Sequence, residues 1–259
     1  MSDAIGSSLR LDGRIALVTG ASSGFGAHFS RVLAQAGARV VVAARRVERL
    51  QAMVAEISDD GGEALAVPMD VNNAASVTAA FEQAESHWGV VDLLVNNAGV
   101  AAPSKFLKTT EEQWSFVVDT NLQAVWRVSR EAAARMVKAE KTGSIVNIAS
   151  ILGLHPGLDN TLYATAKAGV VQLTRNSALE LWRSGIRVNA ICPGYFETEM
   201  NTEFFQSDKG KAYLNKIPPR RLGQMAELNI PLLMLASSAG SFMTGIALPV
   251  DGGHMLGAL

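Results

Sequence analysis

Three side chains that could take part in one acid–base reaction lie near the middle of the chain: Ser150, Tyr163 and Lys167. Ser150 ends a short apolar run that predicts a buried strand, and a predicted helix begins at Thr161. Because residues four apart on a helix share one face, the phenol of Tyr163 and the ammonium of Lys167 should be neighbours. A nearby cation lowers the pKa of a phenol, and a serine hydroxyl is a second donor to a developing oxyanion. We therefore predict a proton-transfer site here.

The elements that must position these groups are apolar strands alternating with helices along all 259 residues. This pattern predicts an α/β fold with one doubly wound parallel sheet, in a single domain over residues 1–259. Helices are predicted over 73–87 and 226–236, and a long one over 111–137. The seven predicted strands are Arg14–Thr19, Arg39–Ala44, Ala64–Met69, Asp92–Val95, Ile145–Ala149, Ile186–Ile191 and Ile246–Val250.

Composition narrows the class of protein. Hydrophobic residues make up 48% and charged residues 18% of the chain, and the formal net charge is −1. That balance argues against a broad electrostatic contact with nucleic acid or anionic lipid. The single cysteine, Cys192, excludes a disulfide framework and a multi-cysteine metal site, and it is expected to be a buried packing thiol. With no apolar run long enough for a membrane span and no signal-like segment at the start, we expect a cytoplasmic protein that binds neither membrane nor metal.

A glycine-rich turn follows the first predicted strand. Gly20, Gly24 and Gly26 stand between that strand and a helix that ends before Gly37. In a strand–turn–helix context, glycines let the backbone approach a pyrophosphate, and the helix N-terminus offers free N–H groups. The alternative is a tight turn whose small residues serve only close packing.

Two arginines mark the end of the second strand. Arg45 and Arg46 stand where a dinucleotide fold meets the adenosine ribose, and no acidic residue is present there to accept a 2′-hydroxyl. Guanidinium groups suit a 2′-phosphate, so we predict NADP(H) rather than NAD(H). The alternative is a solvated helix start in which Glu48 pairs with one arginine.

Polar residues also follow the third and fourth strands. Asp70 could receive an adenine amino group or could cap the next helix. The amides and small residues of 96–99 could let a flat ring pass close to the backbone or could form an Asx turn. Asn121, inside the long predicted helix, is either a satisfied core amide or, beside Lys167, a candidate holder of a water molecule.

Residues 195–219 break the regular rhythm and carry several aromatic side chains, which predicts a lid over a substrate. An amphipathic helix packed on the body is the alternative. His155 is expected to be a hydrogen-bonding loop residue rather than a catalyst. The residues predicted to contact substrate are Ser150, Leu152, His155, Tyr163, Tyr195, Met200 and Phe204.

Together these residues resemble the classical short-chain dehydrogenase/reductase family over about Leu11 to Gly253. The resemblance rests on T-G-x-x-x-G-x-G at 19–26, N-N-A-G at 96–99, and Tyr-x-x-x-Lys at 163–167. Ser150 stands at the family's spacing before the tyrosine, and Asn121, Pro193–Gly194 and Thr198 fall where the family pattern places them. Ala149 and Phe25 depart from common family residues, and Ser23 stands where some NADP-preferring members carry a basic residue.

The resemblance implies a Rossmann fold and a set of roles. Tyr163 would exchange a proton with the substrate oxygen while Ser150 hydrogen-bonds that oxygen. Lys167 would hold the nicotinamide ribose and lower the pKa of Tyr163, and Asn121 would place a water in a proton relay. Asp70 would bind adenine, and Thr198 the carboxamide. The residues predicted to bind cofactor are Gly20, Ser22, Ser23, Gly24, Phe25, Gly26, Arg45, Arg46, Asp70, Val71, Asn97, Ala98, Gly99, Tyr163, Lys167, Pro193, Gly194, Phe196 and Thr198.

The function expected from this resemblance is an NADP(H)-dependent carbonyl reductase or alcohol dehydrogenase acting on a ketone or secondary alcohol. Alternatives within the family are an NAD-linked sugar or polyol dehydrogenase and a 3-oxoacyl thioester reductase, and a non-enzymatic dinucleotide sensor is a further alternative. The family also commonly forms homotetramers, for which the helix bearing Trp114 and Trp126 and the apolar tail 255–259 are candidate contacts. The tail could instead fold onto its own body.

Overall fold

Seven parallel strands form one sheet in the residues that the computed structural model describes, 6–197 and 205–257. The strand order is 3-2-1-4-5-6-7, so the chain reverses direction across the sheet between the first and fourth strands. Crevices at such reversals, outside the carboxyl ends of the strands, are where open α/β sheets bind ligands. The strands are β1 (Ile15–Thr19), β2 (Arg39–Ala44), β3 (Glu63–Pro68), β4 (Leu93–Asn96), β5 (Gly143–Ile148), β6 (Ile186–Pro193) and β7 (Ala247–Val250).

Helices cover both faces of the sheet, which confirms the doubly wound α/β prediction. The helices are α1 (Gly24–Gln35), α2 (Val47–Asp59), α3 (Ala74–Trp88), α4 (Glu111–Val118), α5 (Ala124–Lys138), α6 (Thr161–Leu181), α7 (Asp208–Leu214) and α8 (Asn229–Ala236). Alternate residues of each strand point to opposite faces. In β1, Ala16 and Val18 pack towards α1, α2 and α8, while Ile15 and Leu17 pack towards α3 and α5.

The central strands read as continuous apolar runs because both of their faces are covered. Every residue of β1 and β5 is buried, whereas the edge strands β3 and β7 are partly exposed. Pro68 and Pro249 lie in these edge strands, where a missing N–H costs the ladder little.

Several element boundaries differ from the sequence prediction. The sixth strand runs on to Pro193 instead of ending at Ile191. Helix α8 begins only at Asn229, after a 3₁₀ turn over Met225–Leu228. Pro231 therefore falls in the first helical turn, where a backbone N–H has no intrahelical partner to lose.

The long helix predicted over 111–137 is present but interrupted. A π-helical turn over Asp119–Gln123 joins α4 to α5, and Asn121 lies in it. Periodicity of apolar residues does not reveal one inserted residue of a π turn, so the sequence indicated only a continuous helix. Among the described residues, no helix is both long and apolar enough to cross a bilayer.

A buried polar network ties the sheet to the helix that carries Tyr163 and Lys167. The Asn96 amide donates to the Asn147 side chain (2.8 Å) and to Ser129 Oγ (2.8 Å). The Asn147 amide donates in turn to Thr174 Oγ1 on α6 (2.9 Å), whose hydroxyl donates to the carbonyl of Val170. Buried polar groups are stabilising only when paired, so this network fixes how α6 docks on β4 and β5.

The substitution Asn147→Ala should lower the free energy of unfolding by about 1–3 kcal/mol, because it removes partners from the buried Asn96 and Thr174. Urea denaturation measures this change. Gln172→Ala is the matched control, since its amide is exposed and bonds only Asn176, and it should change stability by less than about 0.5 kcal/mol. Equal effects from the two substitutions would show that the network does not hold α6 in place.

Candidate functional site

Ser150, Tyr163 and Lys167 meet at the carboxyl edge of the sheet, beyond the end of β5. Ser150 caps a 3₁₀ turn over Ile151–Gly153, with its hydroxyl accepting from the N–H of Leu152 (3.1 Å). The Lys167 ammonium lies 5.5 Å from the centre of the Tyr163 ring, as expected for residues one turn apart on α6. Ser150 and Lys167 are buried, with 8% and 3% of their surfaces exposed. The three groups predicted to act together are therefore brought together.

The Tyr163 phenol is a weaker acid in the protein than the sequence suggested. Burial is the main cause and raises its pKa to about 12, while a hydrogen bond with Ser150 lowers the pKa and the nearby Tyr195 raises it. Burial therefore outweighs the hydrogen bond with Ser150, and the effect of Lys167 on this pKa stays a prediction for the protein with cofactor bound. The phenol is consequently protonated at neutral pH.

Lys167 is a buried cation that donates one hydrogen bond within the described part of the chain, which the sequence did not indicate. Its Nζ donates to the carbonyl of Ile148, the last residue of β5, at 2.7 Å. Burial lowers the pKa of Lys167 to about 8. An ammonium has three donors, so two remain for a ribose hydroxyl or a water. The turn bearing Ser150 packs flush on α6, since a Cβ on Gly153 would lie 2.7 Å from the Lys167 backbone carbonyl.

The side chain of Asn121 forms two hydrogen bonds with the backbone of Val100. Its Oδ1 accepts from the N–H of Val100 (2.9 Å), and its Nδ2 donates to the Val100 carbonyl (2.7 Å). Asn121 lies close to Lys167: a Cβ built on Gly99 would sit 2.7 Å from Asn121 Oδ1 and 3.8 Å from Lys167 Nζ. The Asn121 amide is thus hydrogen-bonded in the core, and its second N–H and second lone pair leave the role of water holder a prediction.

The glycine turn is tightly packed at Gly20 and Gly26 and open at Gly24. Gly20 and Gly26 serve close packing, because a Cβ on Gly20 would lie 2.8 Å from Ala98 Cα and one on Gly26 would strike the Asn97 amide. Gly24 faces open space at a φ of +54°, in the left-handed region that favours glycine. Helix α1 starts here with no side-chain cap and no acidic residue in its first turn. Its N–H groups and positive dipole end thus suit the pyrophosphate of a dinucleotide.

The N-N-A-G segment braces the glycine turn from behind. The N–H groups of Asn97 and Ala98 both donate to Thr19 Oγ1 at 3.0 Å, and the Asn97 amide donates to the Thr19 carbonyl at 2.9 Å. Asn97 therefore bonds the end of β1 rather than forming an Asx turn. Thr19 opens the motif at 19–26, but the sequence analysis assigned no role to its hydroxyl, which lies at the end of a buried strand.

Arg46 reaches back onto the glycine turn. Its guanidinium donates to Ser22 Oγ (2.8 Å) and Ser23 Oγ (3.0 Å), while Arg45 is exposed beside it. Among residues 6–197 and 205–257, neither arginine forms an ion pair with Glu48. A cavity of about 490 Å³ adjoins this cluster, and its polar lining includes His28 and Arg49, which the sequence analysis had not singled out.

Asp70 does not cap the following helix. The N-cap of α3 is Asn73, whose side chain accepts from the N–H of Ser76, whereas the Asp70 carboxylate accepts only from the N–H of Asn72 (3.0 Å). The Val71 carbonyl accepts from Arg127 (2.8 Å). A carboxylate oxygen of Asp70 thus stays available at the end of β3.

The residues predicted to contact substrate lie on the loop after Ser150 and on the segment after β6. Phe196 and Thr198, predicted to bind cofactor, belong to the same segment after β6. His155 is exposed and its Nδ1 bonds the carbonyl of Pro156 (2.8 Å), which agrees with a loop role, and Leu152 packs over Gly157. Tyr195 follows Pro193 and Gly194 at the end of β6. Phe196 is buried against Phe25, with ring centres 5.7 Å apart, so it supports the glycine turn from below. Thr198, Met200 and Phe204 lie outside the described residues.

Apolar and aromatic side chains in the described part of residues 195–219 pack against the body and against one another. Phe205 and Ile217 are buried, and Tyr195 and Tyr213 lie edge to face, with ring centres 5.2 Å apart. His254, in a 3₁₀ turn near the C-terminus, joins this cluster and was missed by the sequence analysis. Cys192 is buried as predicted, and burial raises its pKa to about 11. Within the described residues, no group of side chains could hold a metal ion.

Comparisons with known proteins agree with this geometry. A family model described as short chain dehydrogenase matches residues 14–209. The chain is 35% identical to a 3-oxoacyl-[acyl-carrier-protein] reductase of Thermotoga maritima, over 96% of this chain and 100% of the relative. It also resembles the crystal structure of a gluconate 5-dehydrogenase from Burkholderia cenocepacia in complex with NADP and tartrate. That match has a TM-score of 0.93 and 34% identity over 97% of this chain and 99% of that one. A short-chain type dehydrogenase/reductase from Mycobacterium marinum gives a TM-score of 0.91 and 37% identity, over 96% and 98% of the two chains.

Lys167→Met should make the protein more stable, by about 1–3 kcal/mol at pH 7, because a buried charge is removed from an apolar setting. The direction in which stability changes with pH follows from the pKa of Lys167 in the folded and unfolded states. The folded-state pKa of about 8 lies below the ordinary 10.5, so the unfolded chain binds the extra proton between these values. The penalty is therefore complete below pH 8 and is relieved as pH rises to 10.5.

Unfolding measured by urea at pH 7 and at pH 10 tests this. The stability difference between variant and wild type should shrink at the higher pH. A variant that is less stable than wild type at both values would show that the hydrogen bond to Ile148 more than compensates the burial of the charge.

Proposed function

Because the chain belongs to the short-chain dehydrogenase family and is an NAD(P)-dependent oxidoreductase acting on CH–OH and carbonyl groups, we propose that it transfers hydride between NADP(H) and a ketone or secondary alcohol. The observation that carries this proposal is the meeting of Ser150, Tyr163 and Lys167 beside a glycine turn that presents free N–H groups. The nicotinamide supplies or accepts the hydride. The protein supplies binding, orientation and the proton.

Tyr163 is the proton donor in the reducing direction. Its phenol stays protonated at neutral pH, since burial raises its pKa to about 12, and it can give its proton to a carbonyl oxygen that gains charge. The hydroxyl of Ser150 hydrogen-bonds the same oxygen. In the oxidising direction the phenol must lose its proton, and the ammonium of Lys167 and an oxidised nicotinamide ring would then favour the phenolate. Lys167 also donates to the nicotinamide ribose, and with the backbone near Asn121 it holds a water for proton exchange.

The cofactor preference for NADP(H) rests on the arginines after β2. Arg46 is already fixed on Ser22 and Ser23, Arg45 is exposed at the same end of the strand, and Arg49 lines the adjoining cavity. No carboxylate directly follows β2 that would accept a ribose 2′-hydroxyl. The similar gluconate 5-dehydrogenase was crystallised with NADP, which supports the same choice.

The other predicted cofactor residues follow from their positions. The N-terminus of α1 would hold the pyrophosphate, Asp70 and Val71 the adenine, and Pro193–Gly194 the nicotinamide end, with Thr198 on its carboxamide. Residues 195–219 would form the substrate lid of a single domain. A 3-oxoacyl thioester reductase is the second candidate, because the Thermotoga maritima relative carries that name. A sugar acid or polyol dehydrogenase is favoured in the same way by the gluconate 5-dehydrogenase.

Assembly into a homotetramer is part of the proposal. Trp114 and Phe116 on α4 and Trp126 on α5 leave 41%, 53% and 48% of their surfaces exposed, which is typical of side chains covered by a partner subunit. Leu256 in the C-terminal tail is also exposed, so its described part does not bury this side chain on its own body. A cytoplasmic location stays a prediction of the sequence.

Tyr163→Phe should lower kcat for ketone reduction by roughly 10²–10⁴-fold, because general acid catalysis typically contributes that much. NADPH fluorescence titration should show an unchanged Kd for the cofactor, since the phenyl ring keeps its packing. Stopped-flow NADPH oxidation with a panel of ketones measures the loss. Undiminished turnover would exclude Tyr163 as the proton donor, and a wild-type protein inactive on the whole panel would favour the non-enzymatic sensor.

Arg46→Ala should raise KM for NADPH by about 10- to 100-fold with little change in KM for NADH, because a charged hydrogen-bond partner of the 2′-phosphate is lost. Initial rates with both cofactors measure the two values. Arg183→Ala, in the exposed turn after α6, is the matched control and should leave both unchanged. An equal loss with NADH would mean that Arg46 only supports the glycine turn.

A further inference from the structure

The C-terminal turn reaches the candidate active site through one side chain, His254. The turn over His254–Leu256 follows β7 and sits against the end of β6, since a Cβ on Gly194 would lie 2.8 Å from Asp251 Cα. His254 is thereby placed next to the segment that begins with Tyr195. None of the motifs that define the proton-transfer site includes this residue.

The ring of His254 packs against the rings of Tyr195 and Tyr213. The centre of the His254 ring lies 5.6 Å from that of Tyr195 and 5.6 Å from that of Tyr213. The two tyrosine rings are 5.2 Å apart and also contact Phe205. Edge-to-face packing of this kind holds rings in defined orientations. Lys216 lies 5.2 Å from the Tyr213 ring centre and closes one side of the cluster.

This aromatic cluster adjoins the reacting groups. The N–H of Ala149, just before Ser150, donates to the carbonyl of Ile191 in β6 (2.8 Å), and Tyr195 follows the end of that strand. Tyr195 also raises the pKa of the Tyr163 phenol. His155, on the loop that follows Ser150, lies near enough to His254 to lower the pKa of its imidazole. His254 is thus bracketed by the neighbour of Tyr163 on one side and by the Ser150 loop on the other.

Two hydrogen bonds and two proline contacts hold the backbone on either side of His254. Asp251 accepts hydrogen bonds from the N–H groups of Gly253 (2.9 Å) and Met255 (2.9 Å), the residues on either side of His254. Pro219 packs on Gly252 and Pro218 on Gly253, so the turn is docked against the segment after α7. A side chain carried on such a fixed turn is suited to recognition, because little freedom is lost when a ligand binds.

One polar atom of the cluster has no partner. The Nδ1 atom of His254 is closed to solvent and has no hydrogen-bond partner. Among the described residues, no other buried side-chain nitrogen or oxygen is in this state. A buried polar atom without a partner is costly and calls for a functional explanation. Burial, with His155 and Lys216, lowers the pKa of His254 below its usual 6.5 and Asp251 opposes this, so the ring is neutral at pH 7 and Nδ1 can accept or donate one hydrogen bond.

We propose that His254 is a specificity-determining residue whose Nδ1 hydrogen-bonds a second oxygen of the substrate, a hydroxyl or carbonyl apart from the reacting one. The inference rests on the proposed function and narrows its substrate class to hydroxy ketones, diketones and the corresponding diols. The unreacted oxygen lies on the Tyr195 side of the reacting carbonyl. Because Nδ1 is closed to bulk water, its partner enters together with the substrate, and Tyr195 or Tyr213 shifts to admit it.

The test compares cyclohexanone with 2-, 3- and 4-hydroxycyclohexanone, using NADPH and wild type, His254→Phe and His254→Asn. Wild type should prefer at least one hydroxy ketone over cyclohexanone by about 10- to 100-fold in kcat/KM, the range expected when a buried polar group is otherwise left unpaired. His254→Phe keeps the ring packing and removes the nitrogen, so it should abolish this preference while kcat/KM for cyclohexanone stays within about twofold. His254→Asn places an amide where Nδ1 lies and should recover part of the preference.

His87→Phe is the control, since His87 is exposed at the end of α3 and its ring meets that of Trp88 edge to face. A preference that survives in His254→Phe, or a loss that is equal for all four ketones, would overturn the proposal and leave His254 a packing residue. If no ketone is reduced by wild type, the proposed function fails separately. Calorimetric binding of the hydroxy ketones to the NADPH-loaded wild type and His254→Phe then decides the inference by the same comparison.

Discussion

The hydrogen bond from the Lys167 ammonium to the Ile148 carbonyl is the contact on which the site depends. It places a cation, 3% exposed, against the last carbonyl of β5, in surroundings that lower its pKa to about 8. A buried charge costs free energy unless partner groups or hydrogen bonds compensate it. Its position fixes the turn of α6 that carries Tyr163, and the buried Asn96–Asn147–Thr174 network holds that helix against the sheet.

The same constraint explains why the surrounding backbone is tight. Gly153 lets the Ser150 turn lie directly on α6, and Gly99 leaves room for Asn121 and Lys167 to approach the end of β4. On the other side of the crevice, Thr19 and Asn97 bind the end of β1 to the N-N-A-G segment, so the glycine turn and the proton-transfer groups share one rigid edge. The parallel sheet thereby fixes the distance between the glycine turn and the proton-transfer groups.

Burial sets the pKa values of the reacting groups, while the surrounding segments are free to differ. The same exclusion of water that lowers the pKa of Lys167 raises that of Tyr163, so the phenol keeps its proton at neutral pH until a charged neighbour or a substrate oxygen draws it off. Segments outside the sheet core lie beside the site: the loop after Ser150, the described start of the segment after β6 and the C-terminal turn with His254. Such connections can vary without disturbing the groups that carry the reaction.

The amino-acid sequence by itself determined the order of strands and helices, because continuous apolar runs and helical periodicity are local patterns. It also determined that Ser150, Tyr163 and Lys167 meet, because helical spacing and the shared edge of parallel strands are sufficient for that. Only the tertiary structure decided how those groups behave. The raised pKa of Tyr163, the Val100 backbone that occupies the Asn121 amide, the π turn beneath it and the approach of His254 to Tyr195 all depend on burial or on contacts between residues far apart in the chain. Neither burial nor long-range contact is encoded in the spacing of neighbouring residues, since both arise only when the layers pack.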